Sequence, residues 1–170
     1  MSDDYSRYST RPVSHEDWNP ATKSIARKIA AEFNHNLDGW DVEVVHMGST
    51  ALEIAGKNEI ELYVYPAANA WDAVFRVLTR SYGEPGRKEP DFIRFNAMRE
   101  GFEAEIMQVR GDVGKLNKAV YRYLAENPDL CEAYVAVKRQ YCFSKREYQR
   151  HKDQFFEALV RQIPEDYFAT

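Results

Sequence analysis

The stretch His46–Tyr65, HMGSTALEIAGKNEIELYVY, decides how this chain folds. Overlapping its start, Val42–His46 (VEVVH) reads as a strand, with Val42 and Val44 alternating against Glu43 and Val45. Met47-Gly48-Ser49-Thr50 then turns the chain into a brief helix, with Ser49 or Thr50 expected as its cap, and Gly56-Lys57-Asn58 ends it. From Glu59 to Tyr65 the odd positions are Glu59, Glu61, Tyr63 and Tyr65, and the even ones are Ile60, Leu62 and Val64. That strand has one greasy face and one polar-aromatic face. A strand, a Gly-Ser turn and an acid-bearing strand together are a means of holding a phosphate beside a metal.

Outward from this centre the elements alternate. Residues 1–13, with Tyr5, Arg7, Tyr8 and Arg11, read as a polar arm lying over the body. Asn19-Pro20 caps a helix whose apolar residues Ile25, Ile29, Ala30 and Phe33 recur at helical spacing to about Asn36. Pro66 stops the second strand, and 67–82 is an amphipathic helix carrying Trp71, Val74, Phe75 and Leu78. GEPGRKEP (83–90) is a loop, followed by a hairpin of 91–97 with 102–109. In its second strand Glu103, Glu105 and Met107 alternate with Phe102, Ala104 and Ile106. Three helices finish the chain: about 112–126, one capped by Asn127-Pro128 and ending near Phe143, and one opened by a Ser144/Glu147 capping box. The expected fold is an α/β (α+β mixed) single domain over 1–170: a small mixed sheet of four or five strands in 14–111, with a helical part in 112–170.

The composition narrows the class. Hydrophobics at 44% and aromatics at 14%, with 11 tyrosines, fit a packed globule. A net charge of −4 argues against a general nucleic-acid surface and leaves a local basic patch open. No run of 18 apolar residues and no apolar signal core follow Met1, so a cytoplasmic protein with no membrane partner is expected. Cys131 and Cys142 fall in one expected helix, about 16 Å apart. That is too far for a disulfide, so both are expected as thiols.

Glu59 and Glu61 on one strand and Glu103 and Glu105 on another bring carboxylates within reach of one cation if the strands are neighbours. Hard oxygen ligands suit Mg²⁺, which takes one or two carboxylates, waters and substrate phosphates. Alternate glutamates are equally the ordinary face of a half-solvated sheet, and a Gly-Ser-Thr turn is ordinary helix capping. Lys57 stands in the loop where it would meet either a phosphate oxygen or solvent. Tyr134, Lys138 and Tyr141 share one helix face, and Tyr148 and Lys152 another. These would serve a nucleotide, by ring stacking and phosphate contact, or simply pack, with the lysine stems lying along apolar neighbours. His46 reads as a structural histidine at a strand end, and Lys115, Lys118 and Arg122 as a solvated basic stripe.

HMGSTALEIAGK resembles the His-Ile-Gly-Ser-Thr segment of the GrpB family, placed in the nucleotidyltransferase superfamily with a DNA polymerase beta-like core. Trp18, the helix to Phe33, Tyr121-Arg122-Tyr123-Leu124 with Asn127-Pro128, Tyr134 with Lys138, and Tyr148 with Lys152 and Phe155 extend the likeness. The resemblance implies that Gly48, Ser49 and Thr50 form the phosphate turn and that Glu61 stands for the first acid of an Asp-x-Asp pair. It also implies a nucleoside triphosphate and Mg²⁺, with Lys57, Lys138 and Lys152 as nucleotide contacts. The chain departs from the pattern at three places: Tyr63 where a second acid would stand, Glu53-Ile54 for Pro-Gly, and Glu103-Ala104-Glu105 for His-x-His. Two expectations follow. Either Glu61 with Glu105, then Glu103, carries the metal and the chain transfers a nucleotidyl group, or the chain is a non-enzymatic ligand- or partner-binding member.

Overall fold

The computed structural model describes residues 4–169, so the first three residues of the expected arm lie outside the described part. Among the described residues are helices α1 (Ala21–Asn36), α2 (Gly48–Ala51), α3 (Trp71–Tyr82), α4 (Gly111–Glu126), α5 (Pro128–Tyr141) and α6 (Lys145–Val160). The strands are β1 (Val42–Met47), β2 (Ile60–Pro66), β3 (Arg87–Glu89), β4 (Phe92–Arg99) and β5 (Phe102–Val109). They form one mixed sheet in the order β1-β2-β5-β4-β3. β2 runs parallel to β5, and the other pairs are antiparallel.

The period-2 pattern of β2 decides what lies on each side. Ile60, Leu62 and Val64 join Ala104, Ile106, Ile93 and Phe95 in a core closed by Ile25, Ile29 and Phe33 of α1 and by Val74 and Leu78 of α3. Each large apolar side chain buried there contributes about 1.5–3 kcal/mol. The odd residues, Glu61, Tyr63 and Tyr65, face the other way, toward the C-terminal helices. There α4 comes so close that a Cβ on Gly114 would lie 3.3 Å from the Tyr65 ring. A second, smaller core of Leu124, Cys131 and Leu159 ties α4, α5 and α6 together beside Leu52 and Ile54. Both cysteines are free thiols, and no described helix is long and apolar enough to cross a membrane.

Four local readings change. The 83–90 loop contains β3, which pairs with β4 in a register of three residues. The helix expected from 67 opens as a 3-10 turn, Ala68–Ala70, before α3. β2 begins at Ile60, which leaves Glu59 at its lip. Neither Ser49 nor Thr50 caps α2: Met47 stands at that position and no side chain caps the helix. The hydroxyl of buried Thr50 is used elsewhere, donating to the Glu59 carbonyl (3.1 Å) and meeting His46 Nε2 (2.9 Å).

Candidate nucleotide site

The turn and the acid are built against each other. Met47 pairs with Glu61 across β1 and β2, so the chain leaves β1 directly over the Glu61 side chain. Gly48 has φ +75°, and a Cβ there would lie 2.6 Å from Glu61 Oε1. Only glycine combines that backbone with that contact. Across the parallel pair Glu61 is in register with Glu105, which puts both carboxylates on one face.

The charges around them are unevenly matched. Lys57 pairs with Glu59, and Arg94 meets Glu105 at 3.1 Å. No ion pair or hydrogen bond reaches the Glu61 carboxylate from any described residue. Burial first, and then the charges of Glu59 and Glu105, raise its pKa against the pull of Lys152 and Lys57. Glu105 is raised as well, by burial and by Glu59, with Arg94 pulling the other way.

Behind the turn lies Lys138, only 1% exposed. Its ammonium donates to Ser49 Oγ (2.8 Å) and to the Ala55 carbonyl, and sits 4.4 Å from the centre of the Tyr134 ring. It therefore clamps both ends of the segment after β1 from beneath, buried behind the turn. Burial above all holds its pKa down to about 8. His46 is neutral, its pKa pushed down to about 4 by burial and then by Lys23. Because Thr50 donates to Glu59, the Nε2 of His46 is the donor to Thr50. Thr50 and His46 thus hold the turn from within.

Two cavities, of about 910 and 340 Å³, meet at this point, and Ser49, Glu61, Tyr134, Gln149 and Lys152 line both. The larger is polar and also takes in Lys57, Glu59, Glu103 and Glu105. The smaller has walls of Tyr63, Leu116, Val120, Tyr121 and Phe156, with Gly48 at its edge. The expected residues Gly48, Ser49, Lys57, Glu61, Glu103, Glu105 and Lys152 are therefore gathered around one space, with Glu103 at the exposed rim and Thr50 and Lys138 behind it. Tyr141, by contrast, turns away to stack on His151 at 3.5 Å. The sequence reading missed Arg94 and Gln149. Gln149 carried a signal, since it stands three residues before Lys152 on the same helix face.

Among the described residues no three His, Cys, Asp or Glu side chains are grouped to hold a metal alone. A Mg²⁺ ion arriving with phosphates needs only one or two carboxylates. The unpartnered Glu61, its pKa raised by burial and then by its acidic neighbours, and in register with Glu105, fits that lesser demand.

Residues 12–162 match the family model described as GrpB protein, and the chain belongs to the GrpB family. No curated protein sequence matches it. Among solved structures it is similar to the Cid1 poly(U) polymerase with Mg and 3'-dATP bound, at 14% identity and a TM-score of 0.49, over 78% of this chain and 42% of that one. It is also similar to a cytoplasmic RNA terminal U-transferase, at 13% identity and a TM-score of 0.44, over 78% of this chain and 40% of that one. The chain thus spans less than half the length of those structures.

Proposed function

We propose that this chain binds a nucleoside triphosphate together with Mg²⁺ and transfers its nucleotidyl group to an acceptor. The observation that carries the reading is the unpartnered Glu61 carboxylate under the Gly48-Ser49 turn, where a polar and an aromatic cavity meet. The nucleoside enters the smaller cavity, against Tyr63, Tyr121 and Phe156. Its phosphates cross the junction, where the backbone N–H groups of α2, unpaired within so short a helix, and the Ser49 hydroxyl receive them. α2 is a single turn, so its dipole contributes little, and Lys152 supplies the positive charge. Glu61, and Glu105 when it releases Arg94, would hold the cation, which neutralises charge on the phosphates. The acceptor oxygen forms a bond to the α-phosphorus, the bond to the β-phosphate oxygen breaks, and pyrophosphate leaves with the electron pair. The acceptor proton passes to solvent or to a cavity carboxylate. Lys138 and Thr50 act only through the turn that they hold.

The non-enzymatic reading has its own support: Glu105 and Glu59 already have basic partners, and Tyr63 occupies the next position on the same face as Glu61. Thermal shift with each nucleoside triphosphate, with and without Mg²⁺, tests the Mg²⁺-dependent binding that transfer requires. Saturating nucleotide with Mg²⁺ is expected to raise Tm by about 5–10 °C. Glu61→Ala is expected to lose that rise while melting no lower than wild type, because the carboxylate it removes has no partner. A shift independent of Mg²⁺ and of Glu61 supports the binder, and no shift with any nucleotide removes the proposal.

A further inference from the structure

The larger cavity continues well past Glu61. Lys145, Tyr148, Gln149 and Lys152 of α6 all line it, one face of the helix over seven residues, which is about 10.5 Å of rise. At the Lys145 end its wall includes Arg7 and Tyr8 of the N-terminal arm. That arm is pinned by backbone hydrogen bonds from Val13 N to Cys142 O (2.7 Å), Lys145 N to Arg11 O (2.7 Å) and Arg146 N to Ser9 O (3.0 Å). The Arg146 guanidinium adds bonds to the carbonyls of Tyr8 and Ser6, both at 3.3 Å. Residues 4–11 lie outside the stretch matched by the family model, which takes in Lys145.

The cations here differ from those deeper in. Arg94 and Lys57 are neutralised by Glu105 and Glu59, and Arg87 by Glu89 at 2.7 Å. No carboxylate of the described residues pairs with Arg7, Lys145 or Lys152. The Arg7 guanidinium donates to Tyr8 Oη at 3.2 Å and lies 5.0 Å from the centre of that ring. Asp4 lies near enough to feel the Arg7 charge but makes no ion pair with it, so among the described residues Arg7 and Lys145 present two cations at the cavity mouth that a phosphate monoester with two negative charges can bridge.

Resting on the nucleotidyl-transfer reading, we propose that the acceptor is a phosphorylated small molecule, its phosphate seated between Arg7 and Lys145 and its reacting oxygen directed toward Glu61. About 10 Å along α6 separates this seat from Lys152, so the acceptor phosphate is a handle and not the nucleophile. The cavity is a recess within a chain of net charge −4, which favours a small molecule over a nucleic acid strand.

The test is a thermal-shift and calorimetric panel of sugar phosphates, each beside its unphosphorylated sugar, with inorganic phosphate and a short oligoribonucleotide as further arms. Wild type, Arg7→Ala, Lys145→Ala and the double variant are compared, with ATP and Mg²⁺ titrated separately on each. At least one sugar phosphate is expected to bind while its sugar does not. Each substitution is expected to weaken that binding about tenfold, leaving nucleotide affinity within about twofold. Both side chains are on the surface, so the variants fold. Binding of no sugar phosphate overturns the proposal. So does an equal loss of nucleotide affinity, which would assign the cations to the triphosphate, or binding of the oligoribonucleotide alone. Should wild type bind sugar phosphate through Arg7 and Lys145 but no nucleotide, the transfer reading fails and the phosphate seat stands.

Discussion

Gly48→Ala is expected to lower Tm by about 5–15 °C, the loss of about 2–5 kcal/mol in a chain of this size. Two separate causes contribute. A residue with a Cβ at φ +75° costs roughly 1–2 kcal/mol. The new methyl would also stand 2.6 Å from Glu61 Oε1 and 2.7 Å from its carboxyl carbon, an overpacking that costs about 1–3 kcal/mol to relieve. The two are separable because only the second depends on Glu61. In a Glu61→Ala background the alanine at position 48 is expected to cost only the backbone part. A double-mutant cycle by urea unfolding should thus return a coupling of about 1–3 kcal/mol. Equal losses in both backgrounds would mean that the turn and the acid are not in contact, and the site as described would not exist. The functional consequence runs alongside: a turn pushed off Glu61 no longer presents its N–H groups beside the carboxylate, so nucleotide stabilisation is expected to vanish as well.

The same contact shows what the sequence could and could not carry. Alternation in EIELYVY is local information, since side chains on a strand must point to opposite faces. The greasy and acidic sides of β2 were therefore legible, as were the helices punctuated by Asn-Pro and the Ser144 box. The three residues of β3 had no such signal: all are exposed, and their pairing is supplied by the free edge of β4. Chain position could not distinguish a lysine facing a cavity from one buried behind a turn. Lys152 and Lys138 both stand on helices with a tyrosine four residues earlier, yet one lines the junction of the cavities and the other is 1% exposed. Nor could it tell that Glu59 and Glu105 are paired while Glu61 and Glu103 are not. That depends on where Lys57 and Arg94 reach, and these are distances set by the sheet register rather than by spacing.

Lys138→Met is expected to have its greatest effect in alkaline solution. Methionine fills a similar volume but leaves Ser49 Oγ and the Ala55 carbonyl without their donor, at about 1–3 kcal/mol each. At neutral pH part of this is offset, because the wild-type protein carries a charged ammonium in a buried place. The sign of the pH dependence follows from the folded pKa of about 8 against the ordinary lysine value of about 10.5. Below about pH 8 the amine is protonated in both states and the full penalty is present. Between about 8 and 10.5 the unfolded chain holds a proton that the folded chain has lost, so wild-type stability rises with pH, by about 3 kcal/mol in all. The neutral amine still donates its hydrogen bonds, so the clamp survives the titration. Groups common to both proteins act in nearly the same way in each, apart from the loss of the Lys138 charge that pulls down Cys131 and His15. Cys131 and Tyr134, whose folded pKa values are raised by burial, lower stability as the unfolded thiol and phenol ionise. Lys57, which burial pulls down but Glu59 more than restores, titrates above the window. The difference between wild type and Lys138→Met should therefore widen by about 2–3 kcal/mol from pH 7 to pH 10, read as diverging urea midpoints at constant slope. A difference that stays constant would mean that Lys138 titrates as an ordinary solvated lysine and does not hold the Ser49 turn from within.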